Sequence, residues 1–286
     1  METETLRKFI PGNKWMYFKI YTGVKTADYI LEEAIKPLTE YLLQKKVISK
    51  WFFIRYHDPE AHIRFRLQLN NTKSYGEVLE ELNKSLMDYT ESGEVSNILI
   101  DTYSREIERY GKFTIEDAED LFFLNSNLIL DCLYLDDEEK ILLSLFHIDT
   151  ILEKLGLSIK EKVEWIKDFN YSFKREFNAN KSLNSQLDKK YREIKFKLPD
   201  FKHSEKYLEI RNLIIYNTDD SSIILQNIIQ YYKNDSLEID LQNFFQSIFH
   251  MNINRLFVSN QRLFEMVIYD YLNRYYKSIF FINNRG

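Results

Sequence analysis

Two arginines placed two residues apart are the groups in this chain best suited to chemistry. Arg64 and Arg66 lie in the alternating run HIRFRLQL, residues 62–69. Side chains alternate across a strand, so a strand here points both guanidinium groups to one side, roughly 6.6 Å apart. Like charges this close repel unless they are solvated or paired. The pattern therefore allows a solvent-facing strand, or an anion site in which planar guanidinium forks bind a carboxylate.

A second polar run could bring a third arginine to the same place. In VSNILIDTYSRE, residues 95–106, the period-two rule groups four side chains on one face: Asn97, Asp101, Tyr103 and Arg105. If this face meets that of Arg64 and Arg66, three guanidinium groups converge. Asp101 or Glu106 could instead neutralise the arginines in a purely structural network, and the sequence leaves both interpretations open.

Histidine is the usual side chain for proton transfer near neutral pH, and His250 is the candidate here. It lies in FHMNINRL, where Asn254 and Arg255 suit a polar pocket better than a dry core. A satisfied core histidine remains the alternative. His62 begins the arginine strand on the arginine face. No pair of the five histidines has the spacing of a helix-borne metal motif, and the single cysteine adds nothing, so no metal site is expected.

The elements that would position these residues form an α+β pattern in the first 112 residues. Apolar alternation predicts four strands, at 15–21, 51–58, 62–69 and 95–106. Helical periodicity predicts helices at 26–46, where Pro37 is expected to kink or split the helix, and at 74–90. The order strand, helix, strand, strand, helix, strand is that of a ferredoxin-like βαββαβ antiparallel sheet.

The rest of the chain has a different pattern. Long helix-periodic segments follow residue 113, and the Asn/Lys-rich stretch 178–200 is expected to be a loop or a mobile segment. We therefore expect a ferredoxin-like sheet lobe at 1–112, carrying the arginine site. It should pack against an α-helical C-terminal lobe at 113–286, which carries His250.

The composition excludes several classes of protein. A net charge of −5 offers no basic surface, so direct DNA binding is not expected. One cysteine excludes an internal disulfide framework, and the N-terminal residues have no apolar signal region. No apolar run has the length needed to span a bilayer, so no membrane insertion is expected. The sequence predicts a soluble, cytoplasmic protein.

Three blocks of sequence together resemble one family. FFIRYHDPEAHIRFRL (52–67) is similar to the FIRY-DP--HIR-R block of lantibiotic dehydratases and thiopeptide-type bacteriocin biosynthesis proteins. DTYSREIERYG (101–111) resembles their TY-REI-RYGG block, and FHMNINRL (249–256) resembles their closing HM--NRL block. The blocks occur in family order and span nearly the whole chain. Lys112 replaces a usual second glycine, and the segment after Leu256 lacks a common glycine.

The resemblance implies a function. In full-length family members an N-terminal domain transfers glutamate from glutamyl-tRNA to Ser or Thr of a ribosomally made precursor peptide. The C-terminal domain then eliminates that glutamate to leave dehydroalanine or dehydrobutyrine. This chain resembles the C-terminal domain alone, which implies a lyase partnered by a separate glutamyl-tRNA-dependent glutamylating enzyme. No metal or organic cofactor is implied, and a homodimer is one option for its assembly.

The resemblance also implies site residues. The family's elimination residues fall on Arg64, Arg66, Arg105 and His250. Polar neighbours of these residues are predicted to contact substrate: His62, Tyr103, Asn254 and Arg255. Two alternatives remain, a pyridine synthase of the same family that performs a cycloaddition, and a non-catalytic partner that binds peptide in a modification complex.

Overall fold

The structure is a computed structural model that describes residues 5–283. It is an α+β protein in which helix predominates. The strands are β1 Lys8–Phe9, β2 Trp15–Thr22, β3 Ile48–His57, β4 Ala61–Leu69, β5 Val95–Ile100 and β6 Tyr103–Ser104. The helices of the first half are α1 Thr26–Ile30, α2 Lys36–Gln44, α3 Tyr75–Glu91, α4 Ile107–Tyr110 and α5 Ile115–Leu130. Those of the second half are α6 Asp137–Lys154, α7 Ile159–Glu176, α8 Lys181–Ile194, α9 Lys197–His203, α10 Leu208–Asp220, α11 Ser222–Lys233, α12 Leu241–Leu256 and α13 Gln261–Asn283.

The main sheet has four antiparallel strands in the order β3-β4-β2-β5. Central strand β4 pairs Arg66 with Tyr17 of β2 on one side and with Phe52 of β3 on the other. Its apolar set is buried as the alternation predicts: Ile63, Phe65, Leu67 and Leu69. The register therefore places Arg66 between two aromatic residues on the opposite face.

That opposite face is partly covered, so the structure does not have the solvent-facing strand that the sequence pattern allowed as one alternative. Helix α5 covers part of it, because the ring of Phe122 lies 5.3 Å from that of Phe52. The ring of Tyr103 lies 5.3 Å from that of Trp15 and covers another part. Arg66 is buried as a result. The sequence could not show this, because both covering elements are remote from β4 in the chain.

The expected fourth strand at 95–106 is two strands. β5 ends at Ile100, and the backbone N–H of Asp101 makes a last hydrogen bond to the carbonyl of Tyr17. β6 then pairs antiparallel with β1, Phe9 opposite Tyr103, in a separate two-stranded sheet. The predicted face that joined Asn97 to Tyr103 and Arg105 is therefore broken after Ile100.

The helix predicted at 26–46 is interrupted, as Pro37 suggested. A π-helical turn, Leu31–Ile35, separates α1 from α2. Pro37 lies in the first turn of α2, where its missing N–H costs no helix hydrogen bond. The wider turn accommodates the proline ring one turn downstream.

The segment 178–200 is helical, so its prediction as a loop was wrong. Asn180 caps α8 by accepting a hydrogen bond from the backbone N–H of Leu183. Leu187 and Ile194, seven residues apart, are buried on one side, while polar residues occupy the other. The sparse apolar stripe of a strongly polar helix is easily mistaken for a loop.

The chain divides into two compact units, and this division differs from the expected boundary after residue 112. The first unit comprises 1–133 and 231–259, and the second 134–230 and 260–286. Helix α12, which carries His250, belongs to the unit of the main sheet because it packs against β3 and α5. In the second unit, α13 packs against α7 and α10 against α6. Within 5–283, none of the helices is both long enough and apolar enough to cross a bilayer.

Candidate active site

A cleft in the first unit contains several of the residues singled out from the sequence. It is partly open to solvent, and its volume of about 390 Å³ includes some of that open solvent. Its lining comes from strands β3, β4 and β6, from helices α4, α5 and α12, and from the short link between β6 and α4. The lining residues are Phe52, Ile54, Arg66, Tyr103, Ser104, Glu106, Tyr110, Ile115, Phe122, Met251 and Arg255. Mostly apolar and aromatic side chains, together with Ser104 and the carboxylate of Glu106, thus surround two guanidinium groups.

Arg66 is buried in this cleft without an acidic partner. Among the residues from 5 to 283, no carboxylate lies within ion-pair distance of its guanidinium group, and its Nε makes no hydrogen bond. The rings of Tyr17, Tyr103 and Phe52 surround it at 4.3, 4.9 and 5.3 Å. Burial lowers its pKa. Aromatic faces offset only part of the desolvation cost, so the charge would be stabilised further by an anion.

Arg255 is a second buried guanidinium group at the same cleft. Its Nε donates to the carbonyl of Phe53 at 2.7 Å, and Nη1 donates to the side-chain oxygens of Asn125 and Asn252. Its Nη2 has no hydrogen-bond partner in the described chain, and no carboxylate pairs with it there. Burial lowers its pKa to about 9, with a smaller contribution from the positive charge of Arg66, so it stays protonated at neutral pH.

The edge of the main sheet explains how α12 delivers Arg255 to the cleft. β3 is an edge strand whose outer backbone groups need partners. The side chain of Asn254 accepts from the N–H of Arg55 at 2.9 Å and donates to its carbonyl at 3.0 Å, as a neighbouring strand would. Nε of Arg255 also donates to a backbone carbonyl of β3, that of Phe53. Asn254 is thus placed against the sheet edge, and Arg255 spans from that edge to the cleft.

Arg105 lies beside the cleft, and its guanidinium group is ion-paired with protein carboxylates. Nε and Nη2 donate to the two carboxylate oxygens of Glu119 at 2.8 and 2.7 Å, and Nη2 also donates to Glu116. Glu119 is fully buried and also accepts a hydrogen bond from the hydroxyl of Tyr103 at 2.8 Å. Arg105 therefore holds Tyr103, whose ring faces Arg66, and is itself occupied by protein oxygens.

Arg64 and His62 pack against aromatic rings nearer the start of β4, on the same face as Arg66. The guanidinium of Arg64 lies 3.3 Å from the ring centre of Tyr56, and its Nε lies 3.4 Å from Nε2 of His62. The His62 ring packs on Tyr21, and its Nδ1 is 2.9 Å from the carbonyl oxygen of Glu60. Burial lowers the pKa of His62. A neutral ring that donates from Nδ1 and accepts from Arg64 satisfies both contacts.

His250 lies on the partly exposed surface of α12, next in sequence to the cleft residue Met251. One helical turn separates it from Asn254, which places both on the side of α12 that meets β3. Among the described residues that line the cleft, His250 does not occur. The structure thus brings together Arg66, Tyr103 and Arg255 at the cleft, and places the other predicted residues around it.

Tyr110 and Glu119 were missed by sequence reasoning. Tyr110 ends α4 and lines the cleft from a fully buried position. It belongs to the RYG sequence that follows the REI block, which is the one signal that pointed to it. Glu119 lies in an acidic helix start, where a solvated side chain is the usual expectation. Among the described residues, no group of three His, Cys, Asp or Glu side chains is placed to hold a metal ion.

Comparison with known proteins finds similarity to one family over most of the chain. The family model described as lantibiotic biosynthesis dehydratase C-term matches residues 15–276. The nisin biosynthesis protein NisB of Lactococcus lactis subsp. lactis is 25% identical over 288 residues, covering 89% of this chain and 26% of that protein. The chain thus spans about a quarter of the length of this relative.

Two solved structures share the fold. The tRNA-dependent lantibiotic dehydratase MibB of Microbispora sp. 107891 aligns with a TM-score of 0.71 and 16% identity, over 96% of this chain and 29% of that protein. TbtD, a pyridine synthase from thiomuracin biosynthesis, aligns with a TM-score of 0.63 and 11% identity, over 93% of this chain and 99% of that protein.

Proposed function

Because the chain belongs to the lantibiotic biosynthesis dehydratase C-terminal family, we propose that it is a lyase that eliminates glutamate from O-glutamylated Ser or Thr of a precursor peptide. A separate glutamyl-tRNA-dependent enzyme would supply the ester. The observation that carries the proposal is the pair of buried, uncompensated guanidinium groups of Arg66 and Arg255 at one cleft. We also propose that the main sheet is ferredoxin-like, and its strand order supports this.

The adduct carries an anion for the two cleft arginines, because the Glu106 carboxylate in the lining pairs with Arg109 instead. An ester formed from aminoacyl-tRNA uses the α-carboxyl group of glutamate, so the γ-carboxylate stays free and ionised. A carboxylate accepts several hydrogen bonds and matches the guanidinium fork. Arg66 and Arg255 would hold it, offsetting the cost of burying two unpaired cations. Arg64 lies two residues before Arg66 on the same face of β4. In this proposal Arg105 positions Tyr103 through Glu119.

The elimination is balanced by one proton transfer. A base removes the Cα proton of the esterified residue, the Cα–Cβ double bond forms, and the Cβ–O bond breaks. Glutamate leaves as its α-carboxylate. The negative charge that develops on the peptide amide and on the leaving group needs preorganised donors. We assign the proton transfer to His250, as base toward Cα or as acid toward the departing glutamate.

Mass spectrometry of a single reaction tests the proposal. The chain is incubated with a synthetic peptide that carries one O-glutamyl serine, and loss of glutamic acid is followed over time. Arg66→Ala and His250→Ala should accumulate the glutamylated peptide, while the exposed Arg192→Ala should match the unchanged protein. Intact ester after incubation with folded, unchanged protein would reject elimination. Full activity of both site variants would reject the residue assignments.

A pyridine synthase is the second candidate. It is supported by the near-complete mutual coverage with TbtD, a chain of similar extent. The test offers a peptide with two dehydroalanines and monitors formation of a six-membered nitrogen ring. Ring formation without any loss of glutamate from the ester peptide would favour this candidate. Binding of both peptides without turnover would favour a non-catalytic peptide partner.

A further inference from the structure

We propose that the hydroxyl of Tyr110 contacts the substrate and donates a hydrogen bond to the ester carboxyl oxygen of the leaving glutamate. This inference rests on the proposed elimination and adds a residue to its machinery. Tyr110 lines the same cleft as Arg66 and Arg255, and it ends helix α4.

The hydroxyl of Tyr110 is buried without a hydrogen-bond partner in the described part of the chain. Its ring packs edge-on against Phe122 and Phe244, with ring centres 5.3 and 5.8 Å away. The nearby cation Arg109 can only donate, so the phenol proton still lacks an acceptor. A buried donor without an acceptor is costly and rare in native proteins.

Two other donors around this cleft share the same condition. The Nε of Arg66 and the Nη2 of Arg255 also lack partners in the described residues. Three buried donors at one cleft, with no acceptor for any of them between residues 5 and 283, indicate that a ligand supplies oxygen atoms. Because these atoms are sealed from solvent, an incoming oxygen must displace a lining side chain. Met251, a flexible thioether in the lining, is suited to such a movement.

The three donors differ in charge, so they suit different oxygen atoms of the adduct. The γ-carboxylate carries a full charge before reaction, which the two guanidinium cations match. The ester oxygen is neutral before reaction and gains charge only as the Cβ–O bond breaks. A neutral donor in a buried site stabilises such developing charge without attracting a resting anion. Burial also raises the pKa of Tyr110, so the phenol keeps its proton and acts as a donor.

The test is Tyr110→Phe in the full chain with the O-glutamyl serine peptide. Removing one donor to developing charge should lower kcat about 100-fold with little change in KM. The hydroxyl has no hydrogen-bond partner among the described residues, so its removal should leave the melting temperature unchanged or higher. A structural role predicts the reverse, lower stability with retained kcat.

Tyr269→Phe is the matched control. The hydroxyl of Tyr269 is equally buried but donates to Glu265 at 3.1 Å, in the second unit. This variant should melt at a lower temperature and keep its kcat. Replacement of Tyr110 by 3-fluorotyrosine, which keeps a donor, should retain elimination and thus separate the hydroxyl from the ring.

The outcomes separate this inference from the proposed function. Elimination by the unchanged protein together with an equal kcat in Tyr110→Phe overturns the role of Tyr110 alone. A raised KM at constant kcat also overturns it, because the hydroxyl would then bind the resting adduct. No elimination by the unchanged protein removes the proposed function and this inference together.

Discussion

Arg105 and Glu119 form a fully buried ion pair, closed by two hydrogen bonds between the guanidinium fork and both carboxylate oxygens. Fourteen residues separate them, and Glu119 also fixes the hydroxyl of Tyr103. This pair withdraws Arg105 from the cleft, whereas Arg66 and Arg255 have no carboxylate partner among the described residues.

Removing the charge of Glu119 should be strongly destabilising. Glu119→Gln leaves the buried Arg105 with only Glu116, an exposed residue, as acidic partner. Breaking a buried pair costs about 3–5 kcal/mol. Chemical denaturation measures the change. Glu116→Gln is the control, because an exposed pair contributes about 0–1 kcal/mol. Equal effects of the two variants would contradict the assigned importance of Glu119.

Replacing Arg66 should separate stability from activity. Arg66→Met removes an unpaired buried charge and retains much of the side-chain volume, so the free energy of unfolding should stay equal or rise. Elimination should fall by at least about 100-fold, because the anion loses its cation. Denaturation and the ester-peptide assay are run on the same sample. A clear loss of stability would show that the protein itself compensates Arg66.

Asn254 should contribute to stability through the edge of β3. Asn254→Ala leaves both the N–H and the carbonyl of Arg55 without this partner. We expect a loss of about 2–3 kcal/mol in the free energy of unfolding, since each buried unsatisfied group costs about 1–3 kcal/mol. The control is Asn97→Ala on exposed β5, for which a change within about 0.5 kcal/mol is expected. Similar losses in both variants would exclude the edge-capping role.

His147 should make the stability of the protein depend on pH. Burial on α6 lowers its pKa from 6.5 to about 4. Above pH 6.5 the side chain is neutral in both folded and unfolded states and has no effect. Between pH 6.5 and 4 the unfolded chain binds the proton more readily, so stability falls as the pH falls.

The measurement compares urea denaturation at pH 7.5 and pH 5. His147 should account for about 2 kcal/mol of the loss at pH 5, at about 1.36 kcal/mol for each pH unit below 6.5. His147→Gln should lose less stability over that interval than the unchanged protein. His203→Gln, an exposed residue, serves as the control. An identical pH dependence in all three proteins would contradict the buried neutral state.

Local periodicity determined much of the main sheet and most helices. The alternation in HIRFRLQL correctly separated the buried apolar residues of β4 from Arg64 and Arg66. The three sequence blocks identified the family that the comparison confirmed. The failures were also local: polar helix α8 has a narrow apolar stripe, and β5 ended before Tyr103. Whether His250 transfers a proton remains a prediction.

Tertiary structure alone decided which arginines are available for chemistry. All guanidinium groups look alike in a sequence, because their charge and shape do not depend on their neighbours along the chain. Glu119 neutralises Arg105 because α5 packs beside it, and Asn254 ties α12 to the edge of β3 so that Arg255 reaches the cleft. Ion pairing and burial depend on residues that are distant in sequence, whereas strand and helix patterns depend on residues that are close together in the sequence.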